Sequence, residues 1–172
     1  MTVAAETMVR MGELAVATSP TEVLASIGLG SCIGLALVAR TRSLAGLAHV
    51  MLPAANTTPV EPVAKFADTA VPALLERLKR LGATPARLEA VLVGGAQMFA
   101  LGGGSLDIGA RNESAVRRAL EALRIPVRAA ATGANKGRTI RVHADCGLVL
   151  VKEVGGVETP LYSARPDARA AA

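Results

Sequence analysis

The chain has 172 residues and a formal net charge of +5, with 19 Lys and Arg against 14 Asp and Glu. That length fits one domain able to bury most of the surface its unfolded form exposes, so neither a disulfide framework nor a structural metal is needed to hold it together. Aromatic residues make up 2% of the chain and the basic residues are scattered, mostly as arginines, which speaks against a base-stacking nucleic-acid surface and favours an acidic protein partner.

Two cysteines are present, Cys32 and Cys146, and neither sits in a CxxC pair or beside a histidine at zinc-ligand spacing. A reducing compartment is the natural expectation. Glu6 and Arg10 interrupt the N-terminal stretch, which therefore lacks the form of a signal peptide. Apolar runs such as Ile33–Ala39 fall well short of the roughly 20 residues that cross a bilayer. A soluble, cytoplasmic protein without membrane insertion is expected.

From Met8 to Ala17 apolar and polar residues partly alternate before Pro20, predicting an edge or first strand, and Val23–Ile27 restarts the strand pattern. Gly28-Leu29-Gly30-Ser31 breaks it with two glycines and delivers Cys32 from a turn. Ile33–Ala39 and Leu44–Leu52 then read as a hairpin of two buried strands ending at Pro53.

Ala64–Leu81 carries Phe66, Ala70, Leu74, Leu75, Leu78 and Leu81 at three- and four-residue steps, with Gly82 just beyond, and predicts a helix kinked or restarted near Pro72. Leu88–Val93 is a strand ending in Gly94-Gly95. After the glycines at Gly102–Gly104, Asn112 is expected to cap a helix running to about Leu123. Ile125–Ala131, Thr139–His143 and Gly147–Val154 complete the strands. The pattern predicts an α+β domain over residues 1–162, a mixed sheet covered by two main helices, followed by a disordered tail at 163–172.

A thiol attacks only as thiolate, so a reactive cysteine needs a nearby base and solvent access. Cys32 leaves a Gly-x-Gly-Ser turn whose amides, at Gly30 and Ser31, could face a developing oxyanion. His49, one of two histidines, falls at the far end of the partner strand, within geometric reach of the thiol. The residues alone leave a second reading open, in which Cys32 is a buried core cysteine and His49 a satisfied core histidine. Cys146 and His143 form a competing pair but lack a glycine platform, and read as structural. Neither Gly94-Gly95 nor Gly102–Gly104 matches a phosphate-binding loop, so a nucleotide site is not expected.

Several ordered segments together resemble the chemoreceptor glutamine deamidase family, CheD. They are Gly28-Leu29-Gly30-Ser31-Cys32, His49-Val50-Met51-Leu52-Pro53, Lys65-Phe66-Ala67-Asp68-Thr69-Ala70, Gly94-Gly95-Ala96-Gln97-Met98-Phe99, Ile108-Gly109-Ala110-Arg111-Asn112 and Thr132-Gly133. The resemblance implies a three-layer α/β/α sandwich related to deamidating toxins, with Cys32 as nucleophile and His49 as base. Six residues before the cysteine, where the family commonly has threonine, stands Ser26, whose hydroxyl would accept from the imidazole N–H. No cofactor or metal is implied. The implied substrates are glutamines, or γ-glutamyl methyl esters, on the cytoplasmic helices of chemoreceptors. The implied partner is a CheC-type phosphatase, which leaves a non-catalytic binding regulator as a rival role, and a cysteine hydrolase with another amide substrate is a third.

Overall fold

Three stretches of this chain are almost wholly apolar, interrupted only by His49 in the second and Glu89 in the third, and each becomes a strand buried on both faces. They are β4 (Ile33–Ala39), β5 (Ala45–Val50) and β6 (Leu88–Gly94), in which every residue is buried. A strand covered on one face alternates apolar with polar, so runs this nearly apolar report two covering layers. The computed structural model describes residues 4–56, 61–98 and 107–165.

The central sheet has the order β2-β5-β4-β6-β7, where β2 is Leu14–Ala17 and β7 is Val127–Thr132. Its first three pairings are antiparallel and β6–β7 is parallel. The outer sheet has the order β1-β3-β8-β9-β10, from β1 (Ala5–Met8), β3 (Glu22–Leu29), β8 (Arg138–His143), β9 (Leu148–Glu153) and β10 (Glu158–Ser163). There β1–β3 is parallel and the rest antiparallel.

The two faces of the central sheet are sorted by residue parity. Ile33, Leu35 and Leu37 pack with Leu74, Leu78, Val116 and Leu120 of helices α1 (Ala67–Arg80) and α2 (Ile108–Ala122). Ala36 and Val38 face the other way, joining Leu24, Leu29, Ile140 and Val142 of the outer sheet. The α+β sandwich expected from sequence is therefore present in three layers. Both helices lie on one face of the central sheet and pack on each other, so the outer layer opposite them is a sheet, where the resemblance implied a second helical layer.

Other boundaries differ for local reasons. The single strand expected over Met8–Ala17 is two, in different sheets, separated by a turn at Met11-Gly12 with Gly12 at φ 79°. Helix α1 starts at Ala67 and continues through Pro72, which deprives a single carbonyl, that of Asp68, of its helical donor. Asp107, not Asn112, caps α2, its carboxylate accepting from the Ala110 N–H at 2.9 Å. Ser163, placed in the tail by the sequence, closes β10, and the Arg165 N–H bonds the Cys146 carbonyl at 2.9 Å. Residues 166–172 of that tail, Phe99 and the Gly102–Gly104 loop lie outside the described residues.

Candidate active site

The ends of β3 and β6 and the starts of β4 and β8 meet at one edge of the sandwich. Between β3 and β4, Gly30, Ser31 and Cys32 form a bend, entered through an irregularity in the β3–β8 pairing between Ser26 and Leu29 where Gly28 takes φ 73°. All three carbonyls of that bend are held from behind. The Gly30 oxygen accepts from the Ala96 N–H at 2.8 Å, the Ser31 oxygen from Asn112 Nδ2 at 2.9 Å, and the Cys32 oxygen from the Gly95 N–H at 2.8 Å.

Such close backbone approach explains two of the glycine signatures. Gly94 sits at φ 114°, and a Cβ there would collide with the Cys32 carbonyl oxygen. A Cβ on Gly109, in the first turn of α2, would collide with the carbonyls of Gly95 and Ala96. The glycines are spacers that bring a loop and a helix against the cysteine turn.

His49 is brought to the same place by register. It lies opposite Gly34 in the antiparallel β4–β5 pair, and directly opposed residues share a sheet face. Cys32, two residues before Gly34, packs with the inter-sheet cluster and so projects to that same face. Cys32 and His49 are thus diagonal neighbours across a position that carries no side chain. The thiol is half-buried and the imidazole is 3% exposed.

Two backbone hydrogen bonds, Gly12 N–H to the His49 oxygen and His49 N–H to the Glu13 oxygen, both at 3.0 Å, bring the chain that follows β1 against the histidine. In consequence the Val9 carbonyl lies 3.4 Å from His49 Nδ1. Facing a carbonyl, Nδ1 must carry the hydrogen, which leaves Nε2 as the basic nitrogen. Nε2 is buried and has no hydrogen-bond partner among the described residues.

Ser26 is fully buried, but its hydroxyl does not receive the imidazole N–H as the family pattern implied. It donates to the Val9 carbonyl at 2.7 Å, the oxygen that His49 Nδ1 also approaches. A strand serine shares a carbonyl with the histidine here, and the histidine's contact is with main chain.

Burial lowers the His49 pKa from 6.5, opposed by the Val9 carbonyl and by the charge of Glu13. Burial likewise pushes the Cys32 thiol above 9.0, opposed by its own backbone N–H. At neutral pH the pair therefore rests as thiol and imidazole rather than as an ion pair.

Two residues of the site were not singled out for it by sequence. Arg138, 7% exposed, donates to the Gly133 carbonyl at 2.8 Å and more distantly to that of Gly94, bracing the loop behind Cys32. Asn112 is completely buried and bonds the carbonyls of Ser31 and Met51. The signal for Asn112 was legible, since it shares a four-residue spacing with Val116 and Leu120 and is polar on an apolar stripe. By contrast Cys146 is buried in the turn between β8 and β9, at the far end of those strands from Cys32.

A groove of about 410 Å³ opens beside His49, lined by Met8, Val9, Arg10, Met11 and Ile27. Met11 is 62% exposed and Ile27 55%, so its rim is apolar and open. No helix among the described residues is long and apolar enough to cross a membrane.

Residues 51–153 match the family model described as CheD chemotactic sensory transduction. A protein of Lachnoclostridium phytofermentans, named as a probable chemoreceptor glutamine deamidase CheD, is 43% identical over 141 residues, covering 79% of this chain and 86% of its own. Similarly named proteins of Clostridium novyi and Clostridium botulinum are 40% and 41% identical over 153 residues, covering 87% of this chain and 94% of theirs. An aligned stretch of that length necessarily contains the segment from Ser26 to His49. The chain belongs to the CheD family.

Proposed function

We propose that this protein is a cysteine hydrolase that converts particular glutamine side chains of chemoreceptors to glutamate. The observation that carries the reading is the placement of Cys32 and His49 on one sheet face, with side-chain-free Gly34 between them.

His49 Nε2 takes the proton of the Cys32 thiol, and the sulfur attacks the glutamine δ-carbonyl. The resulting oxyanion faces backbone N–H groups of the Ser31–Cys32 turn, fixed in place because the turn's carbonyls are already bonded. Collapse of this adduct breaks the C–N bond, and the imidazolium protonates the departing ammonia. Water, deprotonated by the same imidazole, then hydrolyses the thioester to glutamate and restores the thiol. A resting neutral imidazole suits this cycle, since it accepts and returns one proton in each half.

Support for a receptor substrate comes from the names of the relatives, which specify chemoreceptor glutamines. The net charge of +5 suits acidic cytoplasmic helices, and the apolar groove beside His49 suits a helical surface better than a small polar metabolite. A γ-glutamyl methyl ester presents the same carbonyl with methanol as the leaving group, and belongs to the same reading. So do a cytoplasmic site of action and a docking role for a CheC-type phosphatase.

Incubating a receptor cytoplasmic fragment with wild type and with Cys32→Ala, then mapping glutamine-to-glutamate conversion by mass spectrometry, tests the proposal. Conversion by wild type alone is expected. Equal conversion by both proteins contradicts it, and no conversion combined with capture by a CheC-type phosphatase favours a binding regulator.

A further inference from the structure

Asn112 stands in the second turn of α2, on the stripe it shares with Val116 and Leu120, and is completely buried. Both hydrogens of its amide are used. Nδ2 donates to the Ser31 carbonyl at 2.9 Å and to the Met51 carbonyl at 2.8 Å. With two carbonyl oxygens on that side, nitrogen toward them is the one acceptable orientation of the amide. Its Oδ1 is buried and has no hydrogen-bond partner among the described residues. An unpaired buried carbonyl carries a desolvation cost, so a position serving packing alone would favour an apolar side chain.

What the amide secures is the peptide that joins Ser31 to Cys32. A trans peptide is planar, with its C=O and N–H pointing in opposite directions. Holding the Ser31 oxygen toward α2 therefore turns the Cys32 N–H outward, onto the side of the thiol, where it faces the cysteine's own sulfur. The flanking carbonyls of Gly30 and Cys32 are held by main-chain N–H groups. Among the described residues, Ser31 alone of the three is held by a side chain. The second bond, to Met51, ties this turn to the segment two residues beyond His49.

We propose that Asn112 is a positioning residue for the oxyanion: by holding the Ser31 carbonyl, it aims the Cys32 N–H at the oxygen that becomes charged when Cys32 attacks. This role rests on the deamidase reading above. The same N–H also faces the sulfur and modestly favours the thiolate, whose proton goes to His49, so the oxyanion role shows as a fall in kcat far beyond any fall in thiolate reactivity.

The two can be measured apart. Alkylation of Cys32 by iodoacetamide needs the thiolate but displaces iodide from a methylene carbon and develops no oxyanion. Deamidation of a receptor fragment needs both. For Asn112→Ala we expect kcat to fall by about 10²–10³-fold, the loss typical of one oxyanion donor. KM and the alkylation rate should stay within about threefold of wild type, the mark of a group used mainly in the transition state. Asn112→Leu, which keeps the number and branching of the side-chain heavy atoms, should behave alike and guards against collapse at the smaller residue. A kcat within threefold of wild type overturns the role, as does a parallel fall in kcat and alkylation. Loss of cooperative melting in both variants overturns it too, by making Asn112 a determinant of the fold. A wild-type protein that leaves receptor glutamines intact overturns the deamidase reading and this role with it; normal turnover in an Asn112 variant overturns this role alone.

Discussion

His49 is oriented by Val9 through main chain: the imidazole Nδ1 faces the Val9 carbonyl at 3.4 Å, leaving Nε2 as the basic nitrogen. No side-chain substitution deletes that carbonyl. The element that fixes the tautomer is the path of the backbone after β1, held against β5 by the Gly12 and Glu13 hydrogen bonds. Ser26 acts on the histidine only through the oxygen they share.

Ser26→Ala should therefore be mild. It removes one donor to Val9 and leaves the histidine contact in place, so the net loss should be that of an ordinary hydrogen bond, about 0.5–1.5 kcal/mol. Turnover of a receptor fragment should fall by no more than about tenfold, and Ser26→Thr, which keeps the hydroxyl, should approach wild type. A loss as deep as that of His49→Ala would mean that Ser26 contacts the imidazole directly.

The directions of the two pKa shifts set the pH profile. Protonating His49 removes the base, and its pKa lies below 6.5, so kcat/KM should hold through pH 6.5 and fall at more acid values. The Cys32 thiol lies above 9.0, so alkylation without substrate should keep rising past pH 9. Stability follows the same sign. Between the folded pKa of His49 and 6.5 the unfolded chain binds more protons, so its contribution is lost as pH falls through that window. An acid limb above pH 6.5, or an alkylation plateau at neutral pH, would show an ion pair at rest.

Two glycines with positive φ should respond differently to alanine. At Gly94 the new Cβ meets the Cys32 carbonyl, and at Gly28 it meets open space. Gly28→Ala should cost about 1–2 kcal/mol, the price of a left-handed alanine, with turnover largely kept. Gly94→Ala adds displacement of the cysteine turn to a similar strain, and turnover should fall by at least about a hundredfold, because misplacement of about 1 Å can cost that much. Thermal melts and turnover on the same preparations separate the outcomes; equal activity losses at the two positions would contradict the close-approach role of Gly94.

Burial on two faces wrote β4, β5 and β6 into the sequence as nearly continuous apolar runs, and the hairpin of β4 and β5 carried with it the placement of Cys32 and His49 on one sheet face. Exposed edges leave a weaker trace. The residues of β10 are exposed or half-buried and include Pro160, so no apolar pattern marks it. The side of the sheet on which α2 packs depends on tertiary contacts and has no local signature, which is why the layer order differed. Asn112 resembled a cap because Asn favours caps, while Asp107 five residues earlier does the capping. The Val9 carbonyl had no signature at all, since every residue has one.

The covalent intermediate is the most direct test of Cys32 as nucleophile. If glutamine is carried as a thioester on Cys32, adding hydroxylamine during turnover should divert part of it to the γ-glutamyl hydroxamate at the modified receptor position, read as a mass gain of that peptide. We expect hydroxamate with wild type, less glutamate in proportion, and neither product with Cys32→Ala. Glutamate formation by wild type with no hydroxamate at any hydroxylamine concentration, or hydroxamate formation that survives Cys32→Ala, would contradict the account.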